Sequence, residues 1–367
     1  MTVLAILDGN CLLGQHLIDA AAGYGVKEIR VWYHDAKSQL RFSPNNNLEN
    51  VKMEQFVGME SLKQAIEGSD VVINAYECRD FSVCPDKDQL ERINYNFVED
   101  VVKICNESPI SKIIHISSIY LQCTPMWPNV NNREIEGIQK NGMMAFKPYI
   151  ESKNRAETLL MQMDRNYSTV VIARIGSLYG EGDVCSPVCD AILAAEKFSF
   201  LPVYGDRGGV FQITYVANVA HALVEIVNQL HERSDIHREI VTIRDKTPNK
   251  DIYTNTLVPL LADSGRFNLS KIQIPFFLVF LFLLLASLTS WILNKMGIRS
   301  VIDDFPDPVY IYFVFRHWTF LSDFKQRIFF KLKPKFSYDE AKKRSSAYYS
   351  ELKTENIQSV SWKRNSL

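Results

Sequence analysis

From Val3 to Ala173 the chain alternates short β-branched runs with longer amphipathic stretches, and few folds accept that rhythm. The runs Val3 to Leu7, Glu28 to Tyr33, Val51 to Phe56, Val71 to Ala75, Lys112 to Ser117 and Thr169 to Ala173 read as strands. Between them, Leu12 to Ala22, Met59 to Glu67, Gln89 to Cys105 and Tyr149 to Met163 place apolar residues at i, i+3, i+4 and read as helices. Strand, helix, strand at this spacing predicts right-handed βαβ units, and therefore an α/β fold with a doubly wound parallel sheet. The expected strand order begins 3-2-1-4-5-6, with a ligand beyond the carboxyl ends of the strands near the switch point.

A second constraint lies further along. From Ile272 to Asn294, 23 residues carry no charge, and the centre from Phe276 to Leu285 is apolar on every helical face. A helix of about 20 residues covers the ~30 Å hydrocarbon core, so the run predicts a membrane segment. Lys271 flanks one end, and Lys295 and Arg299 the other, which leaves little charge asymmetry to orient it. Trp291 stands where an interfacial indole is expected. A shorter run, Val309 to Phe315, is too brief to span and is expected to lie in the interface beside Lys325, Arg327, Lys331, Lys333 and Lys335. The formal net charge of −1 excludes the basic footprint of a nucleic-acid binder. It divides into 27 Lys/Arg against 34 Asp/Glu up to residue 294, and 14 against 8 from residue 295 onward. The basic tail is expected to face something anionic. Its last residues, from about Lys353, are expected to fray. Seven cysteines without CxxC or Cys/His spacing read as reduced thiols facing the cytosol, and the N-terminus reads as a strand rather than a signal peptide.

Two motifs carry chemistry. The first strand enters Asp8-Gly9-Asn10-Cys11-Leu12-Leu13-Gly14, where Gly9 and Gly14 form the outer pair of a dinucleotide turn that brings a pyrophosphate to a helix N-terminus. The middle glycine is absent, and Cys11 is expected to act as a small space-filler. Further on, Tyr149-Ile150-Glu151-Ser152-Lys153 sets a phenol and an ammonium one turn apart at a helix start. The ammonium is expected to lower the phenol's pKa and make Tyr149 a general base. Two further YxxxK matches, Tyr33/Lys37 and Tyr338/Lys342, lack this context, since only Tyr149 follows a serine-ended strand, Ile113 to Ser118. The Asn45-Asn46-Asn47 stretch reads as a loop, His115 as a packed histidine, and Arg174 as a brace for the loop after strand 6.

With these pieces in order, the sequence resembles the extended short-chain dehydrogenases, and within them the 3β-hydroxysteroid dehydrogenase/isomerase family. The resemblance runs over about 345 residues and rests on Ile29-Arg30-Val31, Ile116-Ser117-Ser118, Tyr149 to Lys153 and Ala173 to Asp183, where Ile175 replaces the family's proline. Tyr215 to Ala222 and Phe336 to Ala341 are similar to two further family signatures. The resemblance implies a Rossmann-type sheet with a small C-terminal substrate subdomain. It implies a dinucleotide domain over 1–250, substrate elements interleaved at about 175–270, a membrane segment over 272–294 and a basic region over 295–367. It implies NAD, with NADP also open, and oxidation of a 3β-hydroxysteroid or sterol to the 3-ketone, with a possible 5-ene to 4-ene shift or decarboxylation of a sterol 4-carboxylate. Tyr149 would be the acid/base, Lys153 would hold the nicotinamide ribose, and Ser118 would orient the substrate oxygen. The expected partners are the sterol, a bilayer and a second copy in a homo-oligomer. The expected place is the endoplasmic reticulum or a mitochondrial membrane, with both flanks of the apolar segment in the cytosol.

Several positions depart from the family pattern. Tyr33 and His34 stand where an acidic residue should bind the adenosine ribose, and Asp35 is the nearest carboxylate. Gln55-Phe56 replaces a Gly-Asp pair, Ala75-Tyr76 a pair of small residues, and Phe97 a glycine. Each change adds bulk at the adenosine half. A non-catalytic lipid- or protein-binding member is therefore the competing reading. Nucleotide-sugar chemistry, which needs no bilayer, is the third.

Overall fold

The computed structural model describes residues 2–35, 51–108, 112–126, 128–132, 134–138, 144–164, 168–205, 208–261, 269–357 and 360–364. The Asn45 to Asn47 stretch and Lys37 lie outside these residues. Seven strands form the central sheet: β1 (Val3–Leu7), β2 (Glu28–Tyr33), β3 (Lys52–Val57), β4 (Val71–Asn74), β5 (Lys112–Ser118), β6 (Thr169–Ile175) and β7 (Arg238–Ile243). Their order is β7-β6-β5-β4-β1-β2-β3, and every neighbouring pair is parallel. The expected doubly wound order is therefore present, extended by β7, a strand beyond those expected, whose Ile240-Val241-Thr242-Ile243 run is β-branched throughout.

The strands are apolar on both faces because helices cover both. Along β1, Leu4 and Ile6 point to one layer, while Ala5 and Leu7 point to the other. The first layer is closed by α1 (Leu12–Gly23) and α6 (Val216–Glu232) through Leu13, Leu17, Val219, Leu223 and Val227. The second is closed by α3 (Phe97–Glu107) and α4 (Lys147–Met161) through Val98, Val101, Ile150, Ala156 and Leu160. Helices α2 (Leu62–Ile66) and α5 (Pro187–Phe198) complete this side.

Three distant sequence signatures meet at the carboxyl edge. The Tyr215 hydroxyl donates to Glu181, Asn218 exchanges hydrogen bonds of 3.1 and 2.8 Å with the backbone of Phe336, and the Tyr349 hydroxyl donates to Asp183 at 2.6 Å. Phe336-Ser337 leads into α9 (Tyr338–Glu351), where Ser337 and Glu340 form a reciprocal capping box. The C-terminal region thus returns to the sheet domain.

Two expectations fail here. The run Val309 to Phe315 forms α8 (Pro308–Phe315), but Tyr310, Phe313 and Val314 are buried in the protein core against Phe81, Tyr120 and Phe146 rather than lying in an interface. Of the tail beyond Lys353, the described residues up to Arg364 are pinned rather than frayed. Ser361 is buried and bonds Tyr310 and Asp190, the Trp362 carbonyl accepts from Phe81 N at 2.7 Å, and Lys363–Arg364 pairs antiparallel with Arg79–Asp80. Pro308 and the cap from Asp307 start α8.

The long apolar run forms α7 (Phe276–Lys295), long and apolar enough to cross a membrane. Only Leu283, Ala286 and Ser290 of this helix are buried, while Phe277, Leu281, Phe282, Leu284, Leu285, Leu288 and Trp291 are exposed. Both of its ends touch the same body. Phe276 packs beside Tyr312 and Arg316, and Ser290 and Asn294 bond Asp303.

Candidate active site

The turn after β1 requires both outer glycines. A Cβ on Gly9 would meet Val31 Cγ1 at 2.0 Å, and one on Gly14 would meet the Asp8 carbonyl oxygen at 2.2 Å. Cys11 is more than a filler, because it is the N-cap of α1 and its Sγ accepts from Gly14 N at 3.2 Å. A thiol thus occupies one donor at the helix end where the sequence placed a pyrophosphate. The Asn10 Oδ1 and the Tyr33 hydroxyl, both buried at this turn, have no hydrogen-bond partner among the described residues. Asp35, two residues past β2, is half-buried.

Beside the turn the bulky substitutions pack on one another. Trp32, Tyr76 and Phe97 are all buried, with ring centroids 5.4 Å (Trp32 to Tyr76), 5.0 Å (Trp32 to Phe97) and 4.7 Å (Tyr76 to Phe97) apart, and the exposed His34 ring stacks on Tyr76 at 5.5 Å. Three of these four rings, His34, Tyr76 and Phe97, stand where the sequence departs from the family, and with Trp32 they form one aromatic wall.

Helix α4 begins at Lys147 with Pro148 in its first turn, and this aims Tyr149 at the carboxyl ends of β4 and β5. The helix is held to the sheet by a buried ion pair. Arg174, on β6, bonds Glu157 through Nε at 2.9 Å and Nη2 at 2.6 Å, and the Ser117 hydroxyl donates to the same carboxylate at 2.6 Å. Arg174 is therefore a brace as expected, acting on α4 rather than on the following loop.

Tyr149, Lys153 and Ser118 come together, all buried. Tyr149 stands beside Ser118, whose Oγ accepts from Tyr120 N at 3.3 Å. Lys153 Nζ donates to the Ile116 carbonyl at 2.7 Å. The Tyr149 hydroxyl donates to Glu77, a carboxylate three residues beyond β4 that sequence reasoning missed. An acid just past the end of a central strand was the available signal.

The expected lowering of the Tyr149 pKa does not hold. Burial, followed by the Glu77 charge, pushes the phenol well above its ordinary value. Burial also lowers the Lys153 ammonium, against the pull of Glu77 and Glu157. His115 is packed as expected, next to Asn74 at 3.3 Å, and burial followed by the Lys153 charge holds it neutral.

A parallel sheet in this order, a two-glycine turn after β1, and a Tyr/Lys/Ser cluster at the strand ends define the extended short-chain dehydrogenase class. The comparisons with known proteins narrow it. The model of the 3-beta hydroxysteroid dehydrogenase/isomerase family matches residues 5–276, and the chain belongs to that family. It is 23% identical over 256 residues to the human sterol-4-alpha-carboxylate 3-dehydrogenase, decarboxylating, a match covering 66% of this chain and 62% of the human protein. It is 25% identical over 251 residues to the 3beta-hydroxysteroid-dehydrogenase/decarboxylase isoform 2 of Arabidopsis thaliana, covering 64% of this chain and 41% of that one. The chain thus spans less than two thirds of each of these two relatives. Among solved structures it is similar to UDP-glucuronic acid 4-epimerase from Bacillus cereus in complex with NAD, with TM-score 0.66, 15% identity and coverage of 99% and 100%. An epimerase from Methanothermobacter thermautotrophicus gives TM-score 0.68 at 17% identity, covering 95% of this chain and 92% of that one. At these identities the likeness is one of fold.

Proposed function

We propose that this chain is a membrane-seated, NAD-dependent dehydrogenase that oxidises the 3β-hydroxyl of a sterol. The observation that carries the reading is the convergence of Tyr149, Lys153 and Ser118, all buried, at the strand ends. The residues fit a dinucleotide at two of three places. Gly9 and Gly14 make the close turn, Lys153 would hold the nicotinamide end, and the buried Tyr33 hydroxyl and Asn10 Oδ1, without partners among the described residues, would offer polar contacts at the turn. At the adenosine end Tyr33 would take the ribose hydroxyl in place of the family's carboxylate, and Asp35 stands next in line. A neutral group there does not repel a 2′-phosphate, so NADP stays open.

A bound nicotinamide supplies the hydride acceptor. Tyr149 and Ser118 would bind the substrate oxygen, Tyr149 moving its proton and Ser118 fixing its direction. Lys153 would hold the ribose and keep positive charge beside the phenol. The relatives named above are sterol 4-carboxylate and 3β-hydroxysteroid enzymes. A 3-ketone β to a 4-carboxylate loses carbon dioxide readily, so one oxidation would suffice for both outcomes. A 5-ene substrate would permit isomerisation instead.

The exposed apolar surface of α7 supports a bilayer as partner. Because both ends of α7 touch the same body, insertion into one leaflet with both flanks in the cytosol fits better than a full crossing. The endoplasmic reticulum is the expected membrane. From α7 the contacts lead through α8 to Phe81, which packs edge-on against Tyr149 at 5.0 Å, so the lipid side and the site share one apolar wall.

The aromatic wall favours a second reading, a family member that no longer binds cofactor. Calorimetric titration of NAD and NADP into the detergent-purified protein separates the two. Saturable binding of either, weakened by Gly14→Val, supports the enzyme. Absence of binding by both sinks it.

A further inference from the structure

The mechanism has a physical difficulty at Tyr149. An oxidation needs a base for the substrate hydroxyl, yet the phenol is buried and its own proton already points at a carboxylate. A phenol held this way is a poor base by itself, and the proton it receives has to go somewhere.

The segment after β4 is built to present that carboxylate. Asn94 clamps Cys78 from both sides, its Oδ1 accepting from Cys78 N at 2.9 Å and its Nδ2 donating to Cys78 O at 2.9 Å. The same Nδ2 donates to Ser152 Oγ at 3.1 Å, on the helix that carries Tyr149. Just before, Tyr76 N donates to Asn74 Oδ1 at 3.1 Å. Glu77 therefore sits between two fixed backbone points, one of them tied to the Tyr149 helix. The charged and titratable groups facing the pair are Arg79 from the same segment and Lys153 from α4, with Glu157 behind Lys153 and His115, held neutral, on β5. Ser118 meets the phenol from β5.

We propose that Glu77 is the proton-relay partner of Tyr149. It orients the phenol and takes up the proton that the phenol passes on. In the oxidation the substrate O–H bond breaks and its proton moves to the Tyr149 oxygen, while the Tyr149 proton moves to the Glu77 carboxylate. The carbinol C–H electron pair would leave as hydride to a bound nicotinamide as the C=O bond forms. One proton and one hydride leave the alcohol, and the tyrosine ends neutral as it began. Glu77 later returns the proton to solvent. The dehydrogenase reading underlies the final step of this scheme, but the Glu77–Tyr149 pairing does not depend on it.

The test therefore begins without cofactor or sterol. 3-Fluorotyrosine is placed at position 149, and its fluorine resonance is titrated in the detergent-purified full chain, with Glu77 intact and with Glu77→Gln. The pairing predicts that Glu77→Gln lowers the titration midpoint by about one pH unit or more, because a neutral amide replaces a charge that disfavours the phenolate. Glu77→Asp, which keeps the charge, should recover part of the difference. Coincident midpoints in the intact and Gln proteins, with both folded, overturn the proposal. In the turnover assay Glu77→Gln should lower kcat by about 10²-fold with little change in KM and should remove the acidic limb of the kcat profile. An unchanged kcat profile in an active enzyme also overturns the relay. Failure to turn over any sterol, with the fluorine shift present, would instead strike the substrate reading and leave the pairing standing.

Discussion

At the scale of single residues, the site is set by what surrounds each group rather than by the motif alone. The YxxxK spacing places Tyr149 and Lys153 one turn apart and was legible in the sequence. The sign of the phenol's shift was not, because it depends on burial and on Glu77, which approaches from another strand. Arg174 was legible as a structural residue, but its partner Glu157 was not, since nothing in the sequence links positions on β6 and α4. Their side chains are 0% and 3% exposed. Removing one member leaves a buried charge, so Arg174→Ala should cost about 3–5 kcal/mol. Replacing both together, Arg174→Met with Glu157→Leu, should recover most of that loss. Urea unfolding of the three proteins checks this. Equal stability of wild type and Arg174→Ala would mean that the pair does not hold α4.

Six of the seven sheet strands are legible because β-branched runs buried on both faces have a composition that few helices share, while β7 went unread although it carries the same signal. The Gly9 and Gly14 turn was legible too, but the role of Cys11 as a cap was hidden, since a sulfur acceptor is not among the usual capping groups. Helix α8 departs from its expected place in the interface. An apolar run of seven residues looks the same whether its partner is lipid or a ring such as Phe81, and only the tertiary contacts decide. Helix α7 is the opposite case, with three buried residues along one narrow stripe and an apolar remainder facing outward. If that surface seats the protein on a bilayer, Leu281→Glu with Leu285→Glu should release it from liposomes while leaving the far-ultraviolet spectrum unchanged. Flotation with sterol-containing vesicles measures this, and undiminished flotation would remove α7 from the attachment.

On the scale of the whole molecule, the charge asymmetry takes on a different meaning. The basic excess after residue 294 points to a tail against headgroups, yet part of it pairs with acids of the sheet domain. Lys325 pairs with Glu239 and Arg344 with Glu181. The C-terminal region returns to the sheet, and its last described residues lie beside the segment that carries Glu77, through the pairing of Lys363–Arg364 with Arg79–Asp80. One body thus joins the apolar helix, the aromatic wall and the Tyr149 cluster, an arrangement that suits the proposed substrate. The decisive measurement is the rate of NADH formation by the detergent-purified protein given NAD and a 3β-hydroxy sterol bearing a 4-carboxylate. A 3β-hydroxy-5-ene steroid run in parallel covers the isomerase branch. The wild type should turn over one of them, and Tyr149→Phe should be slower by about 10²-fold or more. Equal rates for the two proteins, or no turnover of either substrate by wild type, would contradict the account.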